Sequence, residues 1–473
     1  MKKLLIIFVI LLTGCSTDAI QKKEFVNLSH VQVYGEQKEI ETFRVDGVTY
    51  IDFYRFFDIV KFIDPDIEIE DGILTDSVQH KYNMSRILDT NGVDYEVVFD
   101  FDNNTISFND FGFVNNVGEA HIQDNENKLI DYTYRSGDPV VIDLDDYDMP
   151  FIERGKQFAP LAIMNELFMN DLSLYETNDA LTLIRNMDFV FAYASPEVSF
   201  SSDFSLDKSK KYLEFYFDYV NGVYSIDDFN LNGINSSSYS GYMRDLDYQF
   251  TELEDFHTRI YSRGVKNYWM NLFELGNNIS TKKTRFNRID STCNTQEVEV
   301  PDGIKYIQVN TFTEEVNFRP YDLIDTDIVV LDLRCNSGGQ INHTDDALGY
   351  LLGEYSYGVL NPVSNEYSYY TFDYESVGID VENIYVLTSE KTYSAGNIFT
   401  SVMKENGATI LGSDTGGGAC SVSSIIGLNG EFLKTSSTNC FTNSNEEVIE
   451  EGVEVDVEME IDLEELFDSL LDK

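Results

Sequence analysis

Positive charge is scarce in this chain of 473 residues, which has 33 lysines and arginines against 83 aspartates and glutamates. The resulting net charge of −50 excludes a nucleic-acid-binding protein, because such proteins need a basic face that displaces counterions from phosphates. It also excludes adhesion of the protein surface to anionic lipids. Beyond these exclusions, the acidity affects solubility rather than mechanism.

Histidine and cysteine are also few, with five of each. The histidines are scattered and no Cys-x-x-Cys pair exists, so the sequence does not indicate a zinc site, and no other metal or organic cofactor is implied. In an exported protein, the four cysteines after residue 15 allow three pairings: they are Cys293, Cys335, Cys420 and Cys440. The last two flank a pair of predicted strands joined by an Asn-Gly turn, so we expect them to lie opposite each other and to form a disulfide.

Long hydrophobic runs are absent after the N-terminus. There, MKK precedes the apolar run LLIIFVILL, which is too short to span a bilayer comfortably and has the layout of a secretory signal. The run ends in Leu-Thr-Gly-Cys, which resembles a bacterial lipobox, in which the cysteine becomes the lipidated N-terminus. The sequence therefore predicts a signal peptide over residues 1–15, lipidation at Cys15, and a protein anchored to the extracytoplasmic face of the cell membrane by its acyl chains alone.

The length predicts two to four domains, with enough hydrophobic residues for sizeable cores. Residues 16–37 are polar and are expected to form a tether. Residues 38–190 contain a weak repeat, in which GVTYIDFYRFFDIV followed by YEVVFDFDNNTISFN parallels GKQFAPLAIMNELF followed by LSLYETNDALTLIRN. Each copy predicts a strand, an amphipathic helix and a hairpin. This region resembles the small repeat domain at the N-terminus of copper amine oxidases.

Residues 191–300 are predicted to be mainly helical, with His257 at the C-terminal end of the helix that contains YMRDLDYQFTELEDF. Residues 301–473 alternate strands and helices, a pattern that favours a mostly parallel sheet with crossover helices. The predicted strands are GIKYIQVNTF, DIVVLDLR, NIYVLTS and ATILGS, and the helices are INHTDDALGYLLGEY and SAGNIFTSVMKENG. The fold class is therefore a multidomain α/β (α+β) protein.

Three loops after these strands contain residues suited to acyl-transfer chemistry. Gly338 and Gly339 follow a buried strand, where paired glycines can turn backbone N–H groups toward an oxyanion, or can simply form a tight turn. Ser394 begins a helix directly after another strand, as either a helix-capping serine or a nucleophile with the N–H of Ala395 beside it. Gly416, Gly417 and Gly418 form a third loop, either lining a substrate groove or merely flexible.

Together, GIKYIQVNTF, VVLDLRCNSGG, VLTSEKTYSAGNIFTSVMKENGATILGSDTGGGA and EEGVEVDVEM, in this order, resemble the tail-specific, or C-terminal processing, protease family over roughly residues 210–465. The resemblance implies a ClpP/crotonase-like core, with Ser394 as the nucleophile and Gly338 and Gly339 in the oxyanion loop. LEDFHTRI resembles the Asp-x-His-Thr segment of members near the tricorn core protease. The spacing after His257 leaves no room for a peptide-binding PDZ module.

The sequence departs from the Ser–Lys dyad of the best-known branch, because the dyad position falls in the Gly417-Gly418 pair. Lys404 is too far along its helix to substitute, and Lys391 and Lys434 match no family position. The tricorn-like branch uses a histidine base instead, which predicts His257 as general base and His343 as its competitor. Glu450 is the expected orienting carboxylate, with Glu446, Glu447 and Glu451 as rivals, and Val455 replaces the proline of the family's closing motif.

The resemblance therefore implies a serine endopeptidase acting on peptides or unfolded proteins through Ser394 and His257. A second hypothesis is a peptide-binding or scaffold lipoprotein that retains the fold without turnover, since the dyad lysine is missing. A third is an esterase that uses the same triad. Labelling of Ser394 by an active-site serine probe would separate an activated nucleophile from a binder. The sequence determines neither the natural substrate nor the oligomeric state.

Overall fold

The computed structural model describes residues 20–27, 37–63, 67–71, 81–87, 94–114, 128–169, 172–176, 181–185, 204–253, 255, 257–261, 298–314, 327–374 and 383–472. Residues 1–19, and with them the predicted signal peptide and Cys15, lie outside the described residues, as does Cys293. None of the helices in the described ranges is long and apolar enough to cross a membrane.

The N-terminal region contains two sheets. The first has the order β10-β11-β3-β2-β1-β13-β12. Its strands are β1 (Ile20–Asn27), β2 (Gln37–Val45), β3 (Val48–Asp52), β10 (Ile152–Glu153), β11 (Gln157–Pro160), β12 (Leu172–Glu176) and β13 (Leu181–Arg185). The second has the order β4-β5-β6-β7-β9. Its strands are β4 (Ile67–Asp71), β5 (Lys81–Ile87), β6 (Asp94–Asp100), β7 (Thr105–Phe108) and β9 (Val140–Asp143).

The predicted tether is wrong over residues 20–27, which form strand β1. The sequence there is polar, but a strand needs hydrogen-bonding partners for its backbone rather than apolar side chains. Those partners are β2, which pairs antiparallel along the whole of β1, and β13, which pairs parallel with its end.

Seven helices lie in the described ranges: α1 (Phe53–Ile63), α2 (Leu161–Phe168), α3 (Leu206–Tyr219), α4 (Tyr239–Glu252), α5 (Ile341–Leu352), α6 (Ala395–Glu405) and α7 (Leu463–Leu471).

Both copies of the N-terminal repeat contain the predicted units. Strand β3 leads into α1 and strand β11 into α2, and the two strands pair antiparallel with Ile51 opposite Ala159. The hairpins differ in placement, because β6–β7 lies in the second sheet and β12–β13 in the first.

The C-terminal half contains a parallel sheet of order β15-β16-β19-β20-β23, made of β15 (Ile304–Gln308), β16 (Ile328–Asp332), β19 (Ile384–Thr388), β20 (Thr409–Gly412) and β23 (Val457–Glu458). Alternate residues of its strands are buried on opposite faces: Val329 and Leu331 pack with α5 and α6, whereas Val330 packs with α7. Burial of both faces is typical of parallel sheets. The predicted parallel sheet with crossover helices is present in this part of the chain.

An antiparallel sheet that the sequence did not predict joins the two halves of the chain. Its order is β14-β22-β17-β18-β8, with β21 also paired to β22. Its strands are β8 (Leu129–Arg135), β14 (Arg259–Tyr261), β17 (Glu354–Asn361), β18 (Glu366–Asp373), β21 (Cys420–Ile426) and β22 (Phe432–Thr442). Strand β8 comes from the N-terminal region and β14 follows His257, so the sheet unites three distant parts of the chain.

Helices α3 and α4 connect the two halves through their packing. Their buried side chains, such as Tyr216 and Leu246, share one hydrophobic core with the N-terminal strands. Ile425 and Leu433 of the β21–β22 hairpin belong to the same core. The segment that leads to His257 is therefore held by the N-terminal core, whereas the parallel sheet and α6 belong to another core.

Candidate active site

The three loops predicted to carry chemistry follow strands β16, β19 and β20, which are adjacent and parallel. The carboxyl ends of parallel strands lie at one edge of a sheet, where open α/β sheets place their ligand sites. The loops contact one another there: the N–H of Tyr393 donates to the carbonyl of Asn336 at 2.9 Å, and the N–H of Ser394 donates to that of Gly417 at 2.9 Å.

Ser394 has backbone angles of φ 57° and ψ −123°, which a residue with a side chain adopts only under strain. It stands at the N-cap position of α6, yet its hydroxyl makes no capping hydrogen bond. Ser205 and Ser238 occupy the same position on α3 and α4, and both accept a hydrogen bond from a backbone N–H of the first turn. Ser394 therefore lies in a strained conformation at the end of the loop that follows β19, and it does not act as a capping serine.

His257 supplies the imidazole at Ser394. Its Nε2 lies 2.9 Å from Ser394 Oγ, although the two residues are 137 positions apart in the chain. Both side chains are half-buried, so they face the surface of the molecule rather than its core. His257 does not lie at the end of the helix as predicted, because α4 ends at Glu252 and Leu253 already has extended backbone angles. It lies in the short connection between α4 and β14.

The second ring nitrogen of His257 faces a serine rather than a glutamate. Nδ1 lies 3.2 Å from Oγ of Ser436, a fully buried residue of β22. If Nδ1–H donates to this hydroxyl, then Nε2 is unprotonated and can accept the proton of Ser394. Sequence reasoning missed Ser436. The available signal was its position in Thr-Ser-Ser-Thr, a run of hydroxyl residues inside a predicted strand.

Glu450 does not occupy the predicted orienting position on the imidazole. Its Oε2 accepts the N–H groups of Ala419, at 2.6 Å, and Cys420, at 3.3 Å. Burial, followed by the nearby carboxylate of Asp255, raises the pKa of Glu450 to about 7, against the lowering effect of those two amides. The side chain of Glu450 lies next to the start of β21, so the donors that it reaches are the backbone amides of that strand end.

The rival glutamates and the rival base have other partners. Glu446 forms an ion pair with Arg135, and Glu447 accepts a hydrogen bond from Asn443. Glu451 is exposed. Nδ1 of His343 lies 3.0 Å from the carbonyl oxygen of Phe312. His257 is thus the imidazole that the structure brings to Ser394.

The predicted oxyanion loop is only partly suited to its role. The N–H of Gly338 donates to Oδ1 of Asn336 at 2.8 Å, so the prediction that this amide faces an oxyanion is wrong. Asn336 is fully buried and its own amide group donates to the carbonyl of Val309. The N–H groups of Gly339 and of Ala395, the first residue of α6, donate no hydrogen bond to any of the described residues. These two amides remain available for an oxyanion.

The glycines at 416–418 pack against the loop of residues 389–394, called the Ser394 loop below, so Gly417 and Gly418 do not present a surface to a substrate as predicted, whereas Gly416 is half-buried. A Cβ on Gly417 would lie 1.8 Å from the carbonyl oxygen of Glu450, and one on Gly418 would lie 2.4 Å from the ring of Tyr393. Both of these glycines are buried. Because these glycines have no side chain, their backbone can lie directly against Tyr393 and Ser394 and hold both residues in place.

The lysines do not form a dyad in the described structure. Lys404 donates to the carbonyl of Glu454 at 2.6 Å and lies near Asp456. Lys391 is largely buried three residues before Ser394, and Lys434 lies on β22 opposite Arg259. Nε2 of His257 holds the place beside Ser394 Oγ that a dyad lysine would take.

Cys420 and Cys440 occupy paired positions on β21 and β22 and form a disulfide, as the hairpin pattern predicted. Cys335 is also disulfide-bonded. No group of three or more His, Cys, Asp or Glu side chains suited to a metal ion is found in the described ranges.

Comparison with known proteins gives a family for the C-terminal region. Residues 303–459 match the model of peptidase family S41. No curated protein matches the chain. A solved structure assigned as a peptidase from Parabacteroides merdae shares 19% identity and a TM-score of 0.40, covering 55% of this chain and 92% of that one. A lipoprotein from Streptococcus agalactiae shares 14% identity and a TM-score of 0.34, covering 51% and 84%.

The photosystem II D1 C-terminal processing protease shares 19% identity and a TM-score of 0.30, covering 36% of this chain and 48% of that one. Structural similarity at this level carries no functional argument. The match to the family model covers the strands and loops that hold Ser394. Residues 303–459 of this chain are thus similar to peptidase family S41, a family of serine peptidases, which confirms the resemblance to tail-specific proteases that the sequence motifs indicated.

Proposed function

We propose that this protein is an exported serine endopeptidase that hydrolyses peptide bonds through Ser394, with His257 as general base. The observation that carries the proposal is the strained, uncapped Ser394 hydroxyl at 2.9 Å from His257 Nε2. A backbone conformation of this kind costs roughly 1–3 kcal/mol and persists where the surrounding structure enforces it, commonly at active sites. A capping serine would gain nothing from that strain.

In the proposed reaction, Nε2 of His257 takes the proton from Ser394 Oγ as the oxygen attacks the carbonyl carbon of a peptide bond. The carbonyl oxygen becomes an oxyanion, which accepts hydrogen bonds from the N–H groups of Gly339 and Ala395. The imidazolium then gives its proton to the leaving amine, and the C–N bond breaks. A water molecule, deprotonated by His257, releases the acyl group from Ser394.

The hydroxyl of Ser436 holds the imidazole in the required tautomer by accepting from Nδ1–H. This differs from the carboxylate expected from the resemblance. A neutral acceptor stabilises an imidazolium less than a carboxylate would, since hydrogen bonds between charged partners are roughly twice as strong as neutral ones. We therefore expect a moderate turnover, with catalysis relying more heavily on the oxyanion amides.

The test is cleavage of an unfolded protein substrate by the full chain in detergent, compared with the Ser394→Ala variant. Ser205→Ala is the matched control, because Ser205 also begins a helix but caps it in the ordinary way. We expect the control to retain turnover and Ser394→Ala to lose it, together with labelling by a fluorophosphonate probe. Equal cleavage by wild type and Ser394→Ala would exclude this mechanism. Labelling of Ser394 without cleavage of any peptide would favour an esterase, and absence of both would favour the peptide-binding scaffold.

We also propose that Cys15 carries the acyl anchor and that the peptidase works on the extracytoplasmic face of the cell membrane. The support is the order of a basic start, a short apolar run and Leu-Thr-Gly-Cys. Radiolabelled palmitate should be incorporated into the wild-type chain in bacteria and not into Cys15→Ser. Equal labelling of the two would refute the anchor without affecting the catalytic proposal.

A further inference from the structure

Asp255 is a buried carboxylate two residues before His257, with 4% of its surface exposed. Its Oδ1 accepts the backbone N–H of His257 at 2.8 Å, and its Oδ2 accepts the hydroxyl of Thr258. These residues lie between the end of α4 and the first residue of β14. The carboxylate therefore binds the backbone of His257 and the side chain of the residue after it.

Asp255 also contacts the Ser394 loop. The hydroxyl of Tyr393, the residue directly before Ser394, lies 3.5 Å from the same Oδ1. The ring of Tyr393 packs on the imidazole of His257, with 4.9 Å between centroids and 59° between planes. Tyr393 is itself fixed by its backbone bond to Asn336 and by the close approach of Gly418. A rigid ring thus separates the carboxylate from the nucleophile.

The two sides of this contact belong to different cores. The segment that leads to His257 packs with the N-terminal core, whereas α6, which begins after Ser394, packs with the parallel sheet. Small shifts between the two bodies would alter the distance between Nε2 and Oγ directly. A displacement of about 1 Å in a catalytic pair can reduce turnover roughly 100-fold.

Granting the proposed function, on which this inference rests, we propose that Asp255 is a positioning residue. It fixes the backbone of His257 and, through Tyr393, positions the imidazole against the Ser394 loop. It touches neither the substrate nor the reacting atoms, so its effect is on how often Ser394 and His257 are correctly aligned.

The test compares Asp255→Ala and Asp255→Asn with Asp110→Ala in the full chain. Asp110 is the matched control, since it is also buried, accepts the N–H two residues further on at 2.9 Å, and accepts a tyrosine hydroxyl, but lies in the N-terminal region. Active sites are counted by fluorophosphonate titration, and kcat and KM are measured on a peptide substrate.

We expect Asp255→Ala to lower kcat by about 10- to 100-fold with KM changed less than about twofold, because alignment rather than binding is lost. Asp255→Asn should recover part of this loss, since its amide oxygen can still accept the His257 N–H. Asp110→Ala should retain the wild-type kcat in its folded fraction. Unchanged kcat in Asp255→Ala, or an equal fall in Asp110→Ala, would overturn the positioning role alone. Absence of Ser394-dependent turnover in the wild-type chain would overturn the proposed function and this inference with it.

Discussion

Gly338 lies directly against Ser394: a Cβ built on Gly338 would be 2.7 Å from Cβ of Ser394 and 2.9 Å from the carbonyl oxygen of Tyr393. Gly338 also has a φ of 99°, in the region that favours glycine. The glycine therefore contributes to the site by leaving space beside Ser394, although its N–H is bound to Asn336.

Gly338→Ala should accordingly displace Ser394 and reduce kcat/KM by at least about 100-fold, because a nucleophile moved by an ångström loses its alignment. Gly407→Ala is the matched control. Gly407 has a similar φ of 97°, but a Cβ on this residue would have nothing within 4 Å. We expect the control to lose about 1 kcal/mol of unfolding free energy and to keep its activity. Equal activity of the two variants would contradict the steric explanation.

Ser436→Ala should lower kcat by about 10-fold while leaving KM nearly unchanged. Loss of one neutral hydrogen bond is worth about 1 kcal/mol, and here it removes the acceptor that holds Nδ1 of His257. Ser437→Ala provides the comparison, since Ser437 is equally buried but bonds to Ser421. The measurement is the steady-state kcat and KM of both variants, with the concentration of active enzyme determined by active-site titration. A larger effect at Ser437 than at Ser436 would refute the proposed role.

Stability should fall as the pH rises from mildly acidic to mildly alkaline values. Burial, followed by repulsion from Asp110, raises the pKa of Glu366 from 4.5 to about 8, although Tyr134 opposes the shift. The folded state then binds a proton that the unfolded state releases above pH 4.5, so the stabilisation present below that value is lost as the pH rises through about 8.

The Glu366→Gln variant cannot ionise at this position and should therefore show a flatter dependence. Thermal unfolding of both proteins from about pH 5 to about pH 8 is the measurement. Parallel curves for the two proteins would show that Glu366 does not contribute to the dependence.

Removing the disulfide between Cys420 and Cys440 should destabilise the β21–β22 hairpin. The two residues are 20 apart in sequence, and closing a loop of this size is worth about 3 kcal/mol in the chain-entropy description. The double variant Cys420→Ser, Cys440→Ser should have a lower denaturant midpoint than the wild type. Variants are preferable to chemical reduction because Cys335 is also disulfide-bonded. An unchanged midpoint would show that strand pairing alone holds the hairpin.

Local patterns were sufficient to predict most elements of the C-terminal region. Short apolar runs and glycine-rich loops predict the strands around Val330 and Val386 and the helix after Ser394. Such patterns involve only residues that are neighbours in the sequence. The antiparallel sheet was not predicted, because β8, β14 and β22 come from distant parts of the chain and only their pairing makes them one sheet. Strand β1 was missed for the same reason, since its polar sequence gives no local indication of its partners.

The sequence by itself indicated the proposed nucleophile and base, because Ser394 and His257 each lie in a short motif that can be read locally. Only the tertiary structure decided what surrounds them. The register of β22 selects Ser436, and not its neighbours, to face the imidazole. The backbone conformation of the loop directs the Gly338 N–H to Asn336 and leaves the N–H of Gly339 available. Such choices depend on angles and on contacts between distant parts of the chain, and no local pattern specifies them.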